Sequence, residues 1–291
     1  GQLMRTGTTT RTKDQIDNEI DLIGATLNAS SSSIYASSLK KNVPKLLELM
    51  SDITINAKFK QDELDKILQR TKSGLAARKE NPDQISQVVR KKVYYGEGHP
   101  YSESETESSV KNITLELCQN YYNNFFRPNI SYLAVVGDIT VKEAQELVEK
   151  YFSKWEAKDV PKFSFNQPTA PIVSKISLVD RPNSVQSTIV VGHPINLPRN
   201  SPDVLKASVT NTILGGGVFR LFENLREKHG YTYGAYSMLG TDELVGHFSV
   251  FTSTRNEVTD SAVGQILFEM KRIRNEAVPE EIGRASWRER V

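Results

Sequence analysis

Two side chains in the second half of the chain have types and spacing suited to binding a carbonyl or carboxylate oxygen. Arg226 lies in a segment whose apolar residues recur at helical spacing, and Tyr233 follows it by seven residues. Gly230 stands between them, where a glycine would end the helix, and the residues after it are compatible with a strand. This pattern predicts a guanidinium and a phenol on either side of a tight helix-to-strand turn.

Three consecutive glycines, Gly215, Gly216 and Gly217, precede that helix. Glycine costs backbone entropy and contributes no side chain to packing, so three in a row need a structural reason. A phosphate-binding loop is the alternative, but no Lys-Ser/Thr follows, and Arg220 stands where G-x-G-x-x-G needs its last glycine. The glycines therefore predict a tight turn that packs closely against a neighbouring domain.

Each member of the Arg/Tyr pair also has an ordinary structural interpretation. Arg226 can be a solvated charge on a helix surface, and Tyr233 can be an aromatic residue packed on a sheet. Tyr231 and Tyr236 are alternatives for the phenol. In a continuous strand Tyr231 would share a face with Tyr233, and Tyr236 would point the other way.

The glycine turn and the Arg/Tyr segment together resemble the C-terminal half of the insulinase-like (pitrilysin, M16) zinc metallopeptidases. That family has Leu-Gly-Gly-Gly, then Arg-Leu-Phe and Leu-Arg-Glu, then a glycine and a Tyr seven residues after the second Arg, as here. The resemblance implies that Arg226 and Tyr233 bind the substrate's backbone carbonyl beside the zinc. It extends from about Gln2 to about Ala277, with further landmarks at Gly24–Ala29, Gly98–Ser102, Asn124–Asn129 and Asp180–Pro182.

The zinc motif of that family, His-x-x-Glu-His, does not occur in this sequence. No two of the four histidines lie three or four residues apart; they are His99, His193, His229 and His247. Alignment with the family puts Gly1 at the Glu base, Gln2 at the second zinc His, and Ser73 or Gly74 at the third ligand. The resemblance therefore implies no zinc on this chain and a zinc ion on a partner subunit.

The resulting hypothesis is a non-catalytic M16 subunit that associates with a zinc-bearing subunit, or with itself, around a peptide substrate. Arg226 would bind the carbonyl, and Tyr233 would donate a hydrogen bond to it or to the tetrahedral oxyanion. The alternative is a catalytically inert scaffold subunit of a larger assembly. A third possibility, a fragment of a self-sufficient enzyme, is opposed by Ser73 and Gly74.

Bulk composition gives no support for several other classes of protein, namely nucleic-acid-binding, membrane-bound and disulfide-stabilised proteins. The chain has 291 residues, 25% of them charged, and a net charge of +2, which gives no indication of nucleic-acid or anionic-membrane binding. No apolar run is long enough to span a membrane. The single cysteine, Cys118, excludes an internal disulfide.

The sequence predicts an α+β protein with two α/β sandwich domains of the M16 (LuxS/MPP-like) type, both incomplete. The N-terminal domain spans 1–159 and, by the resemblance, lacks its opening strands and zinc motif. Residues 160–173 form a linker containing Pro161, Pro168 and Pro171, and the truncated C-terminal domain spans 174–291.

Periodicity and capping signals predict the elements within these domains. Thr12 and Gln15 form a capping-box pattern, and Asn42 and Thr114 are predicted to cap the helices that follow them. Helices are expected at 12–23, 42–53, 61–79, 83–93, 114–125, 144–152, 202–214, 221–229 and 258–277. Two short strands are expected within 26–40, and longer ones at 130–136, 175–179, 188–191, 231–238 and 247–254.

Overall fold

The computed structural model describes residues 1–168, 172–217, 219–242 and 244–288. It is a mixed α/β structure, as predicted. The chain divides into two compact units, the first made of Gly1–Ala76 and Glu105–Phe163, and the second of Ala77–Ser104 and Ser164–Val291. The boundaries at 159 and 174 remain a prediction, and Pro171 of the predicted linker lies outside the described residues.

In chain order the elements are α1 (Lys13–Leu22), β1 (Thr26–Ala29), β2 (Ile34–Ser37), α2 (Val43–Ile55), α3 (Gln61–Arg78), α4 (Pro82–Tyr95), α5 (Glu107–Lys111), α6 (Leu115–Phe125), α7 (Val141–Phe152), β3 (Gln186–Ile195), α8 (Val204–Gly215), α9 (Arg220–Phe222), β4 (Ala235–Gly240), β5 (Gly246–Arg255), α10 (Thr259–Asn275) and α11 (Glu280–Arg288). None of the described helices is long and apolar enough to cross a membrane.

In the first unit, α1 and α2 pack with the β1–β2 hairpin. The predicted capping box at the start of α1 is confirmed, because the Thr12 side chain accepts from Gln15 N and the Gln15 side chain accepts from Thr12 N. Asn42 does not cap α2 as predicted; its Nδ2 donates instead to Ile23 O at 2.8 Å. The core consists of Ile16, Ile20, Leu27, Leu49 and Ile53.

Two predicted strands are wrong. The stretch expected as a buried strand at 130–136 begins in a 3-10 turn and continues without strand structure, and Tyr132 and Val136 are 101% and 97% exposed. The stretch at 175–179 is also irregular, with Leu178 90% exposed. Apolar composition favours burial, but a strand requires a hydrogen-bonded neighbour, and no strand within the described ranges pairs with either stretch.

The second unit contains an antiparallel sheet with the strand order β3-β5-β4. The predicted strands at 188–191 and 247–254 are confirmed within β3 and β5, while the strand predicted from Tyr231 begins only at Ala235. One sheet face packs on α10 and on the segment that follows the glycine turn. That core contains Ile189, Leu214, Leu221, Leu225, Ala235, Val250, Ala262 and Ile266.

Helix α4 packs on the opposite sheet face. The Tyr94 hydroxyl lies 3.2 Å from Ser249 Oγ, and successive side chains of β5 alternate between faces, so Ser249 and Val250 point to opposite sides. Gly192 permits this approach, since a Cβ there would lie 2.3 Å from Tyr94 Oη and 2.1 Å from Phe248 O. The helix therefore covers one end of the sheet face opposite the α10 core.

His247 is a half-buried contact between this helix and the sheet. Its Nδ1 lies 3.4 Å from the Tyr95 hydroxyl, and its buried Nε2 has no hydrogen-bond partner among the described residues. Burial and the nearby Arg90 guanidinium lower the pKa of His247, whereas Asp242 raises it more weakly. The folded protein thus disfavours protonated His247.

We expect the free energy of unfolding to fall as the pH drops below about 6.5, the ordinary histidine pKa, towards the lowered pKa of folded His247. Above about pH 6.5 the free energy of unfolding should no longer depend on His247, because the folded and the unfolded chain then both hold neutral histidine. Urea denaturation at pH 7.5 and 5.5 measures the loss, which should be smaller in His247→Gln. The exposed His229→Gln is the matched control, and an equal reduction in both variants would contradict the assignment to His247.

Candidate functional site

Arg226 lies on a π-helical turn. The single α-turn α9 leads directly into a π-helix, Glu223–Lys228, in which His229 N donates to Asn224 O at 3.2 Å. Gly230 follows with φ +61°, and its N–H donates to Arg226 O at 2.9 Å, so it ends the helix as predicted. Single π turns are frequent at functional sites because they re-aim side chains at a small cost in hydrogen bonding.

The Arg226 side chain is available to a ligand. It is 45% exposed, its guanidinium lies 4.7 Å from the Phe222 ring centre, and its Nε is 3.5 Å from Glu227 Oε1. A solvent-exposed ion pair of this kind contributes little to stability. The aromatic ring restricts the guanidinium without occupying its N–H donors.

Tyr233 lies at the tip of a tight turn and is 87% exposed. The turn is closed by Thr232 Oγ1, which accepts from Gly234 N at 3.1 Å and donates to Gly234 O at 3.0 Å. Thr252 Oγ1 of β5 donates to Gly234 O at 2.8 Å, so the turn is tied to the sheet. A free phenol is thus presented on a fixed backbone.

The other two tyrosines have different environments. Tyr231 is half-buried, packs against the core and stacks on His229 with ring centres 4.9 Å apart. The prediction that it shares a strand face with Tyr233 is wrong, because the strand starts only at Ala235. Tyr236 lies on β4, in the sheet. Of the three phenols, Tyr233 is the one that combines high exposure with proximity in sequence to the π turn.

The Arg226 and Tyr233 side chains do not contact each other through a hydrogen bond in the part of the chain that the structure describes. Both are exposed on the segment that connects α9 to β4. The Arg226 N–H groups and the Tyr233 hydroxyl are not hydrogen-bonded to each other, so an oxygen atom of a ligand can accept a hydrogen bond from either side chain.

A buried polar pair that the sequence analysis missed anchors the π turn. Asn224 and Glu269 are 4% and 1% exposed, and Asn224 Nδ2 donates to Glu269 Oε1 at 2.7 Å and to Gln265 Oε1 at 3.2 Å. Arg272 Nη1 lies 3.5 Å from the same carboxylate. A buried carboxylate is costly unless hydrogen bonds compensate, so this pair fixes the turn to α10. No local sequence signal identifies this pair, because its members lie 45 residues apart.

The glycine turn packs against the sheet of its own unit. Gly215 ends α8, and a Cβ there would lie 2.6 Å from Ser237 N and 2.7 Å from Leu221 Cδ1. Asn211 Nδ2 donates to Ser237 O, and Ser237 Oγ donates to Asn211 O at 3.1 Å. The described contact is therefore with β4, whereas a neighbouring domain was predicted. Gly216 is exposed and Gly217 half-buried, and neither has a positive φ.

The positions that align with the family's zinc ligands do not fit zinc. Gln2 is exposed on a 3-10 turn, the Ser73 hydroxyl donates to Gln69 O within α3, and Gly74 has no side chain. Zinc prefers Cys, His and carboxylate ligands. Across residues 1–168, 172–217, 219–242 and 244–288, no three His, Cys, Asp or Glu side chains are grouped so that they could hold a metal ion.

A polar cleft in the first unit, about 560 Å³ in volume, is lined by residues that include Arg11, Glu19, Glu48 and Asp52. Arg11 Nη1 donates to Asp52 Oδ2 at 2.8 Å, and Arg11 also pairs with Glu19 and Glu48. Burial raises the pKa of Asp52, but hydrogen bonds, including one from Arg11, outweigh it and leave the pKa lowered. These charges compensate each other, so the cleft is a structural ion-pair network.

Comparisons with known proteins agree with this architecture. The family profile described as "Insulinase (Peptidase family M16)" matches residues 2–100, and that described as "Peptidase M16 inactive domain" matches residues 112–286. Proteins named uncharacterized zinc protease in Rickettsia bellii and Rickettsia felis are 26% and 28% identical to this chain, each over 96% of it. The chain spans 68% of the length of each of these relatives.

Solved structures show the same fold. A crystal structure of a peptidase M16 inactive domain from Pseudomonas fluorescens has a TM-score of 0.90 at 24% identity, covering 99% of this chain and 71% of that one. A protease from Helicobacter pylori has a TM-score of 0.86 at 17% identity, covering 97% of this chain and 70% of that one.

Proposed function

We propose that this chain, which belongs to the insulinase (M16) peptidase family, is a subunit without zinc that helps a zinc-bearing partner hydrolyse peptides. The chain would supply Arg226 and Tyr233 to the substrate. The observation that carries the proposal is the combination of these two exposed donors with unsuitable residues at the zinc positions.

Arg226 suits the binding of a peptide carbonyl because its guanidinium stays protonated and presents several N–H donors in one plane. The Phe222 ring restricts its orientation, and the Asn224–Glu269 pair holds the turn beneath it. Tyr233 supplies a neutral O–H donor to the same carbonyl or to the oxyanion that replaces it. Donors fixed before the reaction stabilise developing charge without reorganising during it.

The partner would supply the zinc ion, the water nucleophile and the Glu base. The positions aligned with the metal ligands in this chain carry Gln2 together with Ser73 or Gly74, so the proposal assigns no metal step to it. The scaffold hypothesis accounts equally well for these substitutions. It predicts, however, that Arg226 and Tyr233 can be changed without effect on any activity of the assembly.

Reconstitution tests the proposal. The full chain should be co-expressed with a candidate M16 subunit from the same genome that carries His-x-x-Glu-His, and the complex isolated by sizing chromatography with light scattering. We expect a hetero-oligomer that cleaves an unstructured peptide, loses activity to a chelator and regains it with zinc. Neither subunit alone should match its rate.

Elemental analysis of the dialysed chain should show only background zinc. Stoichiometric zinc together with peptidase activity in the chain alone would contradict the proposal. A chain that stays monomeric beside the zinc subunit, with no gain in activity, would favour the scaffold.

A further inference from the structure

The buried pair of Asn224 and Glu269 leaves two polar atoms without a hydrogen bond. Asn224 Nδ2 donates to Glu269 Oε1 at 2.7 Å and to Gln265 Oε1 at 3.2 Å. Asn224 Oδ1 and Glu269 Oε2, however, are buried and have no partner among the described residues. A buried acceptor without a donor costs the hydration that it has lost. The pair is therefore less favourable for stability than its short hydrogen bond alone suggests.

Arg272 does not remove this cost. Its Nη1 lies 3.5 Å from Glu269 Oε1, the oxygen that is already bonded, and its Nε pairs more closely with Glu276, at 2.7 Å. The surroundings suit apolar side chains, because Leu225 of the π turn and Ile266 of α10 are 0% exposed in the adjoining core. Replacing both members of such a pair by apolar groups of similar volume is commonly neutral or stabilising.

Asn224 also closes the π turn. Its backbone oxygen accepts from His229 N at 3.2 Å, five residues on, whereas in an α-helix it would accept from Lys228 N. The residue whose carbonyl closes the turn is thus also the one whose side chain is tied to α10. Arg226 lies within this turn, so the direction of its side chain depends on where the extra residue of the turn is accommodated.

Hydrogen bonds and apolar contacts differ in what they fix. A hydrogen bond weakens when its angle departs from linearity, whereas apolar contact is non-directional. The bond between Asn224 and Glu269 therefore holds the π turn in one orientation on α10, which apolar side chains of the same volume would not do. A polar pair that lowers stability and fixes one orientation is typical of a functional site.

We propose that Asn224 and Glu269 are positioning residues for Arg226, which fix the direction of its guanidinium and lower the stability of the chain in doing so. That the fixed guanidinium speeds peptide hydrolysis rests on the proposed function. That the pair orders Arg226 does not rest on it, so the two statements can be tested separately.

The first test uses the full chain alone, without zinc or a partner. In the double variant Asn224→Leu/Glu269→Met, both polar groups are replaced by apolar ones of similar volume. We expect its urea midpoint to equal or exceed that of the wild type. The order parameter of the Arg226 backbone amide, from ¹⁵N relaxation of an arginine-labelled chain, should fall from about 0.85, typical of rigid backbone, towards about 0.6.

The second test measures kcat in the reconstituted complex. The double variant should lower kcat about tenfold, less than removal of Arg226, because the guanidinium is still present but is aligned less often. In an Arg226→Ala background the same double replacement should lower kcat no further, since the pair acts through Arg226. Glu269→Gln keeps an acceptor for Asn224 Nδ2, so it should retain most of the wild-type kcat.

Thr254→Val is the matched control. Thr254 is 1% exposed on β5 of the same unit, and its Oγ1 is buried with no hydrogen-bond partner in the part of the chain that the structure describes. This substitution also removes an unsatisfied buried polar group, but one that lies outside the π turn. The urea midpoint should again equal or exceed that of the wild type, while kcat and the Arg226 order parameter stay unchanged.

Three results would each overturn the inference. A double variant less stable than the wild type would show that the pair serves stability. An unchanged order parameter would show that the pair does not hold Arg226, and a further loss of kcat in the Arg226→Ala background would show that it acts elsewhere. An inactive complex would count against the proposed function alone, because the ordering of Arg226 is measured on the chain by itself.

Discussion

Arg226→Ala is expected to lower kcat/KM of the reconstituted complex about 100-fold, the usual effect of removing one donor to a developing oxyanion. Most of the loss should appear in kcat, because an interaction that strengthens in the transition state affects the chemical step more than substrate binding. Tyr233→Phe should lower kcat/KM about tenfold or more, since it removes only the hydroxyl. Initial rates on an unstructured peptide over a range of concentrations measure both.

Each control variant replaces a residue of similar type that is also exposed. Lys228→Ala removes another cation from the same π turn, 57% exposed, and Tyr132→Phe removes a hydroxyl from a fully exposed tyrosine. Both should keep the wild-type kcat/KM. Because Arg226 is 45% exposed, its removal should change the free energy of unfolding by less than about 0.5 kcal/mol. Full activity in both Arg226→Ala and Tyr233→Phe would favour the scaffold hypothesis.

Gly215→Ala is expected to destabilise the chain by about 3 kcal/mol, at the upper end for overpacking a tight contact. The added methyl group would lie 2.6 Å from Ser237 N, a backbone atom of β4, and 2.7 Å from Leu221 Cδ1. Either β4 or the turn must shift, and both flank the Arg226 segment. The complex should therefore lose activity as well as stability.

Gly264→Ala is the matched control for this substitution. Gly264 is exposed in α10, and a Cβ there meets nothing within 4 Å. Alanine in place of an exposed helical glycine should stabilise by about 0.5–1 kcal/mol. Urea denaturation of the two variants should thus give changes of opposite sign. A Gly215→Ala chain as stable as wild type would show that the turn is not closely packed.

The local elements and the candidate pair could be predicted from the sequence. Capping signals at Thr12 and Thr114 identified the starts of two helices, because a cap depends on residues three positions apart. Gly230 marked the helix end for another local reason: its positive φ disfavours a residue with a Cβ. Arg226 and Tyr233 were identified by their spacing within an ordered motif that resembles the M16 family, because each residue taken alone is equally typical of a solvated charge or a packed aromatic.

Tertiary structure decided the features that depend on distant partners. Apolar composition at 130–136 predicted burial, but whether a strand forms depends on a neighbour that the segment itself does not encode. The Asn224–Glu269 pair joins residues 45 positions apart, so no local pattern shows it. The close approach of Gly215 to Ser237 likewise arises only when α8 packs on the sheet. The sequence thus determined the candidate donors and their order along the chain, whereas long-range packing decided that Arg226 and Tyr233 are exposed and that their backbone is fixed.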